Sequence, residues 1–496
     1  MMYTQTSARD GPRTTDEAQA RIHMANQLLA GHRYGTQEHE RGLELMRQAA
    51  EGPLGPQAQW LLGAYFLQVG MRPNAHAEAA RWLRMAVDAG NPPAFDRLAD
   101  MYLQGIGLPF SLSDALGLYR HLAESGHAEA AWQAGYLACF DEHADGDHDP
   151  SATAFLRACA CAYPPAYYSL GLRFALGAGV ARDAALARAL LLRAADGGFL
   201  DARDAADALA PEHEAGDAAM QWHAALKRNL DAAQPMLAQL SAHVGQLRTG
   251  DDRVARLEAH LVSVGHPMLR LDARGRACVL SDGSAPLRAP LQSWRWLSQR
   301  PRVATCPGFA TREECAHLMN KVAGSLAAPQ QYRTGRSAND DAELAHFSGS
   351  GRPVGAMHSD AVVRMLERRL AEMSGWSMAA LEPCSIVRYR PGEEYRLHVD
   401  YFSPEQIDVN RTQRHDAGGQ RMATFLLYLR AAEAGGETEY PDAGLRVGGE
   451  PGMAVLHYNA HDDGAPDIAS RHVGRPVQAG EKWLWRSALR QHSIYA

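Results

Sequence analysis

Five alanines in the first half of the chain fall on a fixed ruler. Ala58, Ala94, Ala130, Ala166 and Ala202 are each 36 residues apart, and each opens a segment with helical periodicity. Gly90, Gly126 and Gly198 each precede one of these alanines by four positions, and the turn GIG at Gly105 to Gly107 returns as GAG at Gly177 to Gly179, two periods later. A period in the thirties, with small residues where helices must approach closely, leaves few folds open. Each unit is a helical hairpin that cannot bury its apolar face alone, so the units must stack in one dimension as a solenoid. The first copy is irregular, and the third replaces its glycine turn by DEHADGDH. From 212 to 262 the pattern stays helical but loses the period, as capping helices would, so the spacing predicts a helical-repeat solenoid with capping helices over 15–262.

The remainder reads differently. Residues 263–300, rich in Pro, Gly, Ser and Arg, are expected to form a linker or strap. In RPRVATCPGFATREECAHLMNKV a short strand leads to Thr311 as a helix cap, with Glu314 three residues later completing a capping box. A helix with a clear apolar stripe follows in DAVVRMLERRLAEMSG. Short strand-like segments divided by Gly, Pro and Asp then argue for a barrel or double-sheet jelly roll over 301–496. The chain as a whole is expected to be a multidomain α + β protein, an N-terminal α-solenoid followed by a jelly roll with flanking helices.

Composition removes some function classes. A net charge of −7 over 496 residues offers no basic footprint for nucleic acid. No run approaches the length of a membrane span, and the N-terminal stretch has no apolar core that would serve as a signal peptide, so neither membrane nor nucleic acid is expected as a partner. Seven cysteines without a Cys-x-x-Cys pair fit a reducing, cytoplasmic setting.

The pattern His-x-Asp occurs four times: His143/Asp145, His358/Asp360, His398/Asp400 and His461/Asp463. The first lies in the acid-rich turn, where a solvated loop is the simpler reading. Asp360 stands at a helix entrance, where a carboxylate is explained as an N-terminal charge. The fourth pair sits in a polar loop. Only YRLHVDYF places the pair on a strand, where residues i and i+2 share a face and can converge on one point. Two ligands are too few for a non-haem Fe(II) site, which takes two histidines and one carboxylate. His472, in IASRHVGRPVQAGEKW, is the candidate for the third, with Lys482 ten residues beyond it.

The stretches VRYRPGEEYRLHVDYF, GGQRMATFLLYLRAAEAGGETEYPDAGLRV and HYNAHDDGAPDIASRHVGRPVQAGEKW resemble the prolyl 4-hydroxylase branch of the 2-oxoglutarate- and Fe(II)-dependent dioxygenases. The repeats resemble Sel-one-like repeats, relatives of tetratricopeptide repeats, as in AFDRLADMYLQGIGLPFSLSDALGLYRHLAESG and AYYSLGLRFALGAGVARDAALARALLLRAADGG. The first resemblance implies a double-stranded β-helix in which His398, Asp400 and His472 bind iron. It also implies that Lys482, helped by the hydroxyls of Tyr389 and Thr438, holds the distal carboxylate of 2-oxoglutarate. For Tyr389 and Thr438 plain packing in a strand stands as the alternative. By position Glu382, Arg421 and Arg490 match residues that hold substrate. The chain departs from the family's pattern at Ala488, where tryptophan is usual, at Arg475, where cysteine is usual, and at His457, in a place more often aromatic and apolar.

The activity so implied is that of a procollagen-proline dioxygenase-like enzyme. It would use Fe(II), 2-oxoglutarate and O2, with ascorbate as reductant, to hydroxylate a residue, most simply proline, in a peptide or protein bound on the solenoid. Hydroxylation of a free amino acid or small natural-product intermediate is the alternative enzyme reading, and a non-catalytic repeat scaffold the alternative from another class.

Overall fold

The computed structural model describes residues 14–140 apart from 33, 34, 71 and 73, and residues 154–209 apart from 156, 157, 160 and 177–183. It further describes 269–271 and 277–279, and 294–495 apart from 328–346 and 414–417. The turn holding His143 and Asp145, the second glycine turn and the expected capping helices lie outside the described residues. No helix among the described residues is long and apolar enough to cross a membrane.

The chain divides into two compact units, residues 1–118 with the last two residues, and Tyr119–Ile494. The first holds helices Thr15–Gly31, Gln37–Ala50, Gly55–Gln68, Ala75–Asp88, Pro92–Gln104 and the start of Leu112–Glu124. Local chemistry fixes their ends. Thr14 and Thr36 accept from the backbone N–H of Glu17 and His39 at 3.2 and 3.3 Å, satisfying donors that the first turn leaves open. Gly105 closes the fifth helix at a φ of 73°, a left-handed conformation in which a Cβ would be strained.

The alanine ruler marks buried positions. Ala58, Ala94, Ala166 and Ala202 are wholly buried and Ala130 nearly so. Five residues after Ala58 and Ala166 stand Gly63 and Gly171, which share a second reason for small side chains. A Cβ on Gly63 would lie 2.6 Å from Leu83 Cγ, and one on Gly171 2.8 Å from Leu191 Cγ. At that separation paired helices cannot tolerate a methyl group without moving apart.

The second unit holds helices Ala128–Ala138, Pro164–Leu176, Ala184–Asp196 and Ala202–Asp207, then fifteen described strands. These are β1 Leu269–Leu271, β2 Ala277–Val279, β3 Arg295–Gln299, β4 Arg302–Cys306, β5 Ser350–Pro353, β6 Ser385–Tyr389, β7 Tyr395–His398, β8 Arg421–Arg430, β9 Ala434–Gly435, β10 Thr438–Tyr440, β11 Leu445–Val447, β12 Ala454–Tyr458, β13 His472–Gly474, β14 Val477–Ala479 and β15 Lys482–Arg490. Seven form a sheet in the order β3-β4-β12-β8-β15-β6-β5, and four a smaller sheet in the order β11-β10-β13-β7; β1 pairs with β2 and β14 with β9. Every pairing is antiparallel. One hydrophobic cluster draws on both sheets, with Val303, Leu426, Tyr428, Val455 and Leu484 from the larger and Tyr395, Tyr440 and Val447 from the smaller. This is the two-sheet jelly roll that the strand count predicts.

Helices Arg312–Ala323, Ala361–Ser374 and Pro404–Gln413 flank the sheets. The predicted capping box is present: Thr311 Oγ1 accepts from Glu314 N, and the Glu314 carboxylate accepts from Thr311 N. The sheet begins earlier than the expected linker end at residue 300, because Arg295–Gln299 is its edge strand and pairs with β4. Its side chains are mostly exposed, so its composition is that of a solvated segment.

Within this unit the later repeat helices pack directly on the flanking helices. Trp132 stacks on His317 with ring centroids 4.4 Å apart, while its indole N–H donates to Ser169 Oγ. Tyr136 Oη donates to Glu314 Oε1 at 2.7 Å, and the Arg369 guanidinium grips the same carboxylate with two N–H groups. Gln133 Oε1 accepts from Ala361 N at the start of the next helix. Arg312 donates to Asp201, and Leu200 N to Asn320 Oδ1.

Candidate functional site

Alternation along the strands aims a row of polar groups into the space between the sheets. On β7 and β13 the Cα atoms of His398 and His472 are register partners, so two imidazoles meet across one strand pair. Asp400 follows β7 by two residues, is buried, and joins them: its Oδ1 lies 3.6 Å from His398 Nε2 and its Oδ2 3.7 Å from His472 Nε2. One ligand atom from each of the three lies within 4.8 Å of the others, and they form the one such cluster of His, Cys, Asp and Glu among the described residues.

Backbone carbonyls set the tautomers. His398 Nδ1 donates to Arg396 O at 2.7 Å, and His472 Nδ1 to Ser470 O at 3.0 Å. A carbonyl only accepts, so the ring proton sits on Nδ1 and the Nε2 lone pair of each ring faces the cluster. Burial, reinforced by His398 and His457, holds His472 well below the usual imidazole range. Burial alone would raise the Asp400 carboxyl; His472 first, then His457, His398 and the Arg486 guanidinium, outweigh that and hold it well below the usual carboxylate range. Neutral imidazole nitrogens around an ionised carboxylate are the donor set that a divalent cation requires.

The carboxylate is steadied from behind. Thr424 Oγ1 donates to Asp400 Oδ2 at 2.7 Å, and Asn459 Nδ2 donates to Thr424 Oγ1 at 2.9 Å. On the same side the fully buried His457 places Nε2 3.4 Å from Asp400 Oδ2, while its Nδ1 lies 2.9 Å from Tyr440 Oη.

A second polar pocket opens along β15. Lys482 is the register partner of Tyr389 and only 3 % exposed. Its Nζ sits 5.5 Å from the Tyr389 ring centroid and 5.3 Å from that of Tyr428, whose hydroxyl lies 3.1 Å from Thr438 Oγ1. Burial pulls the ammonium down to about 7, opposed by Glu437. Among the described residues Lys482 makes no ion pair. A buried amine packed against two tyrosine rings, with no carboxylate paired to it among the described residues, is a place for an anion.

The three residues expected to hold substrate also come together. Arg421 grips both Glu382 oxygens at 2.8 and 2.9 Å, and Arg490 Nη1 donates to Glu382 Oε1 at 3.0 Å. Arg421 and Arg490 are register partners on β8 and β15, and the Phe402 ring lies against both guanidiniums. Burial would raise the Glu382 carboxyl, but Arg421 first and then Arg490 hold it below its usual range.

The other described His-x-Asp pairs have local roles. Asp360 caps helix Ala361–Ser374 through Val363 N and takes His317 Nε2 at 2.8 Å and Lys321 Nζ at 2.7 Å. Asp463 accepts from Ala465 N in an exposed turn. Sequence reasoning passed over Thr424, Asn459, Tyr428 and Tyr440. The signal was present, since Met422, Thr424, Leu426 and Tyr428 alternate along β8, and a threonine in an inward apolar row needs a partner.

The family model described as the 2OG-Fe(II) oxygenase superfamily matches residues 384–488, and that of the Sel1 repeat matches 18–53, 56–91, 96–127 and 164–199. The chain is 30% identical over 229 residues to prolyl 4-hydroxylase 2 of Arabidopsis thaliana, covering 42% of this chain and 72% of the relative. It is 32% identical over 211 residues to probable prolyl 4-hydroxylase 4 of the same plant, covering 38% of this chain and 66% of the relative. It thus spans about two thirds of the length of the curated relatives it matches. Among solved structures, the viral collagen prolyl hydroxylase from Paramecium Bursaria Chlorella virus-1 aligns at 21% identity over 38% of this chain and 95% of its own, with a TM-score of 0.28, too low to bear on the fold.

Proposed function

Because the chain belongs to the prolyl 4-hydroxylase family of 2OG-Fe(II) oxygenases, we propose that it hydroxylates a prolyl residue in a peptide or protein, using Fe(II), 2-oxoglutarate and O2. The observation that carries this reading is the convergence of His398, Asp400 and His472 in the same two-sheet core that buries Lys482, whose ammonium makes no ion pair among the described residues.

When bound, the metal with 2-oxoglutarate and O2 supplies the oxidation, one oxygen atom entering the target C–H bond and the other leaving in succinate as CO2 is released. The chain's own residues do the rest. His398, Asp400 and His472 hold the metal through two nitrogens and one oxygen, leaving the remaining positions for cosubstrate. Lys482 is assigned to the distal carboxylate, with the hydroxyls of Tyr389 and Thr438 helping to fix its pose. Glu382, Arg421 and Arg490 form a polar cluster assigned to hold the peptide around the target residue. The repeats are assigned to recognition of the protein that carries the target residue, since stacked hairpins offer the extended surface such a chain needs. Ascorbate as reductant and a cytoplasmic location complete the proposal; for the location the support is that Cys139, Cys159, Cys161, Cys306, Cys315 and Cys384 are free thiols.

The test is to incubate the full chain with Fe(II), 2-oxoglutarate and either a panel of proline-rich peptides or free proline, counting succinate and hydroxylated product. Product on a peptide, coupled to succinate and lost in Asp400→Ala, is the expected result. Product on free proline alone would replace the peptide substrate by an amino acid.

A further inference from the structure

His457 is the residue at the metal centre for which neither strand packing nor the three-ligand set accounts. It stands on β12, directly across from Thr424 on β8 in register. Its ring is fully buried, and so is the ring of Tyr440 on β10. The histidine therefore has a fixed neighbour on each side. At one end Tyr440 Oη lies 2.9 Å from Nδ1. At the other, Nε2 faces Asp400 Oδ2 at 3.4 Å and is a buried nitrogen with no completed hydrogen bond.

Chemistry assigns the protons. Asp400 Oδ2 belongs to an ionised carboxylate and only accepts, so an imidazole nitrogen turned toward it is favoured when it carries hydrogen. A neutral ring with its hydrogen on Nε2 has a lone pair on Nδ1, and the Tyr440 hydroxyl has a hydrogen to give there. The chain Tyr440 Oη–H to His457 Nδ1, then His457 Nε2–H to Asp400 Oδ2, satisfies every group in the row. The separation of 3.4 Å is within a few tenths of an ångström of an ordinary N–H···O bond.

Resting on the metal-centre reading above, we infer that His457 is a positioning residue for Asp400: with Thr424 it occupies Oδ2 and leaves Oδ1 as the oxygen offered to the metal. Thr424 Oγ1 already donates to Oδ2 at 2.7 Å, whereas Oδ1 has no hydrogen-bond donor among the described residues. Two donors on one oxygen fix the carboxylate plane and favour single-oxygen ligation. An apolar aromatic ring in this place would fill the volume without holding the carboxylate. The site would then owe part of its metal affinity to a polar pair, Tyr440 and His457, that lies behind Asp400.

The measurement is the dissociation constant for Mn(II), read from the electron paramagnetic resonance signal of the free ion, in the full chain without 2-oxoglutarate. His457→Phe is expected to weaken Mn(II) binding by about 10- to 100-fold, the usual effect of removing a partner that orients a metal ligand. His457→Gln, whose amide N–H reaches toward the Nε2 position, is expected to recover most of the loss. Tyr440→Phe, which removes one hydroxyl and keeps the ring, is expected to weaken binding less. The double variant His457→Phe with Tyr440→Phe should be no weaker than His457→Phe alone, because the two act as one unit. If His457→Phe does not fold, the Tyr440→Phe and His457→Gln values carry the test.

Wild-type affinity in both His457→Phe and Tyr440→Phe would overturn the inference while leaving the metal centre standing. Failure of the wild-type chain to bind Mn(II), or retention of binding in His398→Ala, would overturn the metal-centre reading and the inference with it. Cobalt(II) spectra distinguish the remaining case. Band positions that shift in His457→Phe as they do on losing a nitrogen ligand would make His457 a ligand and not a positioning residue, and would also overturn the inference.

Discussion

Lys482 and Tyr389 face each other in register across β15 and β6, and the ammonium of the first lies 5.5 Å from the ring of the second. Burial in that aromatic setting is what brings the ammonium down to about 7. In the unfolded chain the same group titrates near its ordinary value of 10.5. Between these values the unfolded state binds more protons, so this group's contribution to stability rises as pH climbs through the window. A bound carboxylate reverses the preference by favouring the charged amine. The 2-oxoglutarate dissociation constant is therefore expected to be flat below about pH 7 and to rise by up to about tenfold per pH unit above it. Lys482→Arg should flatten the rise. Calorimetric titration between about pH 6 and about pH 9 reads both, and a constant wild-type affinity across that range would remove Lys482 from the cosubstrate site.

Each of His398→Ala, Asp400→Ala and His472→Ala is expected to abolish Mn(II) binding and 2-oxoglutarate turnover while keeping the far-UV circular dichroism of the wild type. Each removes one of the three proposed ligands at the edge of a core that Tyr395, Tyr440 and Leu426 still fill. His461→Ala, in the exposed turn, should change neither quantity. Turnover that survives in His398→Ala would place the metal elsewhere.

Glu382 separates structure from recognition. Glu382→Ala leaves two guanidiniums without their shared carboxylate, and because Glu382 and Arg421 are only partly buried the cost falls below that of breaking a fully buried pair, about 3–5 kcal/mol. Urea unfolding should show that loss. Arg421→Gln is expected to raise the KM for a peptide target more than it lowers stability, and steady-state kinetics on a proline-rich peptide give the comparison. An unchanged KM would make the cluster purely structural.

Trp132 lies in a repeat helix, yet its ring stacks on His317 beneath the oxygenase sheets. Trp132→Ala is expected to cost about 3–5 kcal/mol, as for other buried aromatic truncations. Tyr136→Phe, which strips one hydrogen bond from Glu314, should cost about 1.5–3 kcal/mol. Because the loss falls within one compact unit, hydrogen exchange should accelerate at β8 and β15 amides in both variants. Exchange that speeds up only in the repeat helices would show that the two parts unfold separately.

Much of this was legible in the sequence for reasons that can be named. The alanine ruler works because a stacked hairpin buries the same position in every copy, as Ala58, Ala94 and Ala166 do. His398 and Asp400 could be singled out because a strand gives i and i+2 a common face. The arms of the site that reach across strands were harder. That His398 meets His472, Lys482 meets Tyr389 and Arg421 meets Arg490 depends on register, which one chain of residues does not display. Thr424 and Asn459 act only through each other and Asp400, and no spacing announces such a relay. The edge strand β3 escaped because its exposed side chains leave no alternating pattern of apolar residues.

The seam formed by Trp132, Gln133, Tyr136, Asp201 and Arg312 decides where this architecture can change by descent. A duplication or loss of one whole 36-residue copy upstream of Tyr119 would alter the length of the array and leave every bond of the seam intact. The same event downstream would take Tyr136 from Glu314, Asp201 from Arg312 and Gln133 from the start of helix Ala361–Ser374. The copies that make the seam are thus frozen, so relatives of this chain should agree in the hairpins that carry Trp132, Gln133, Tyr136 and Asp201.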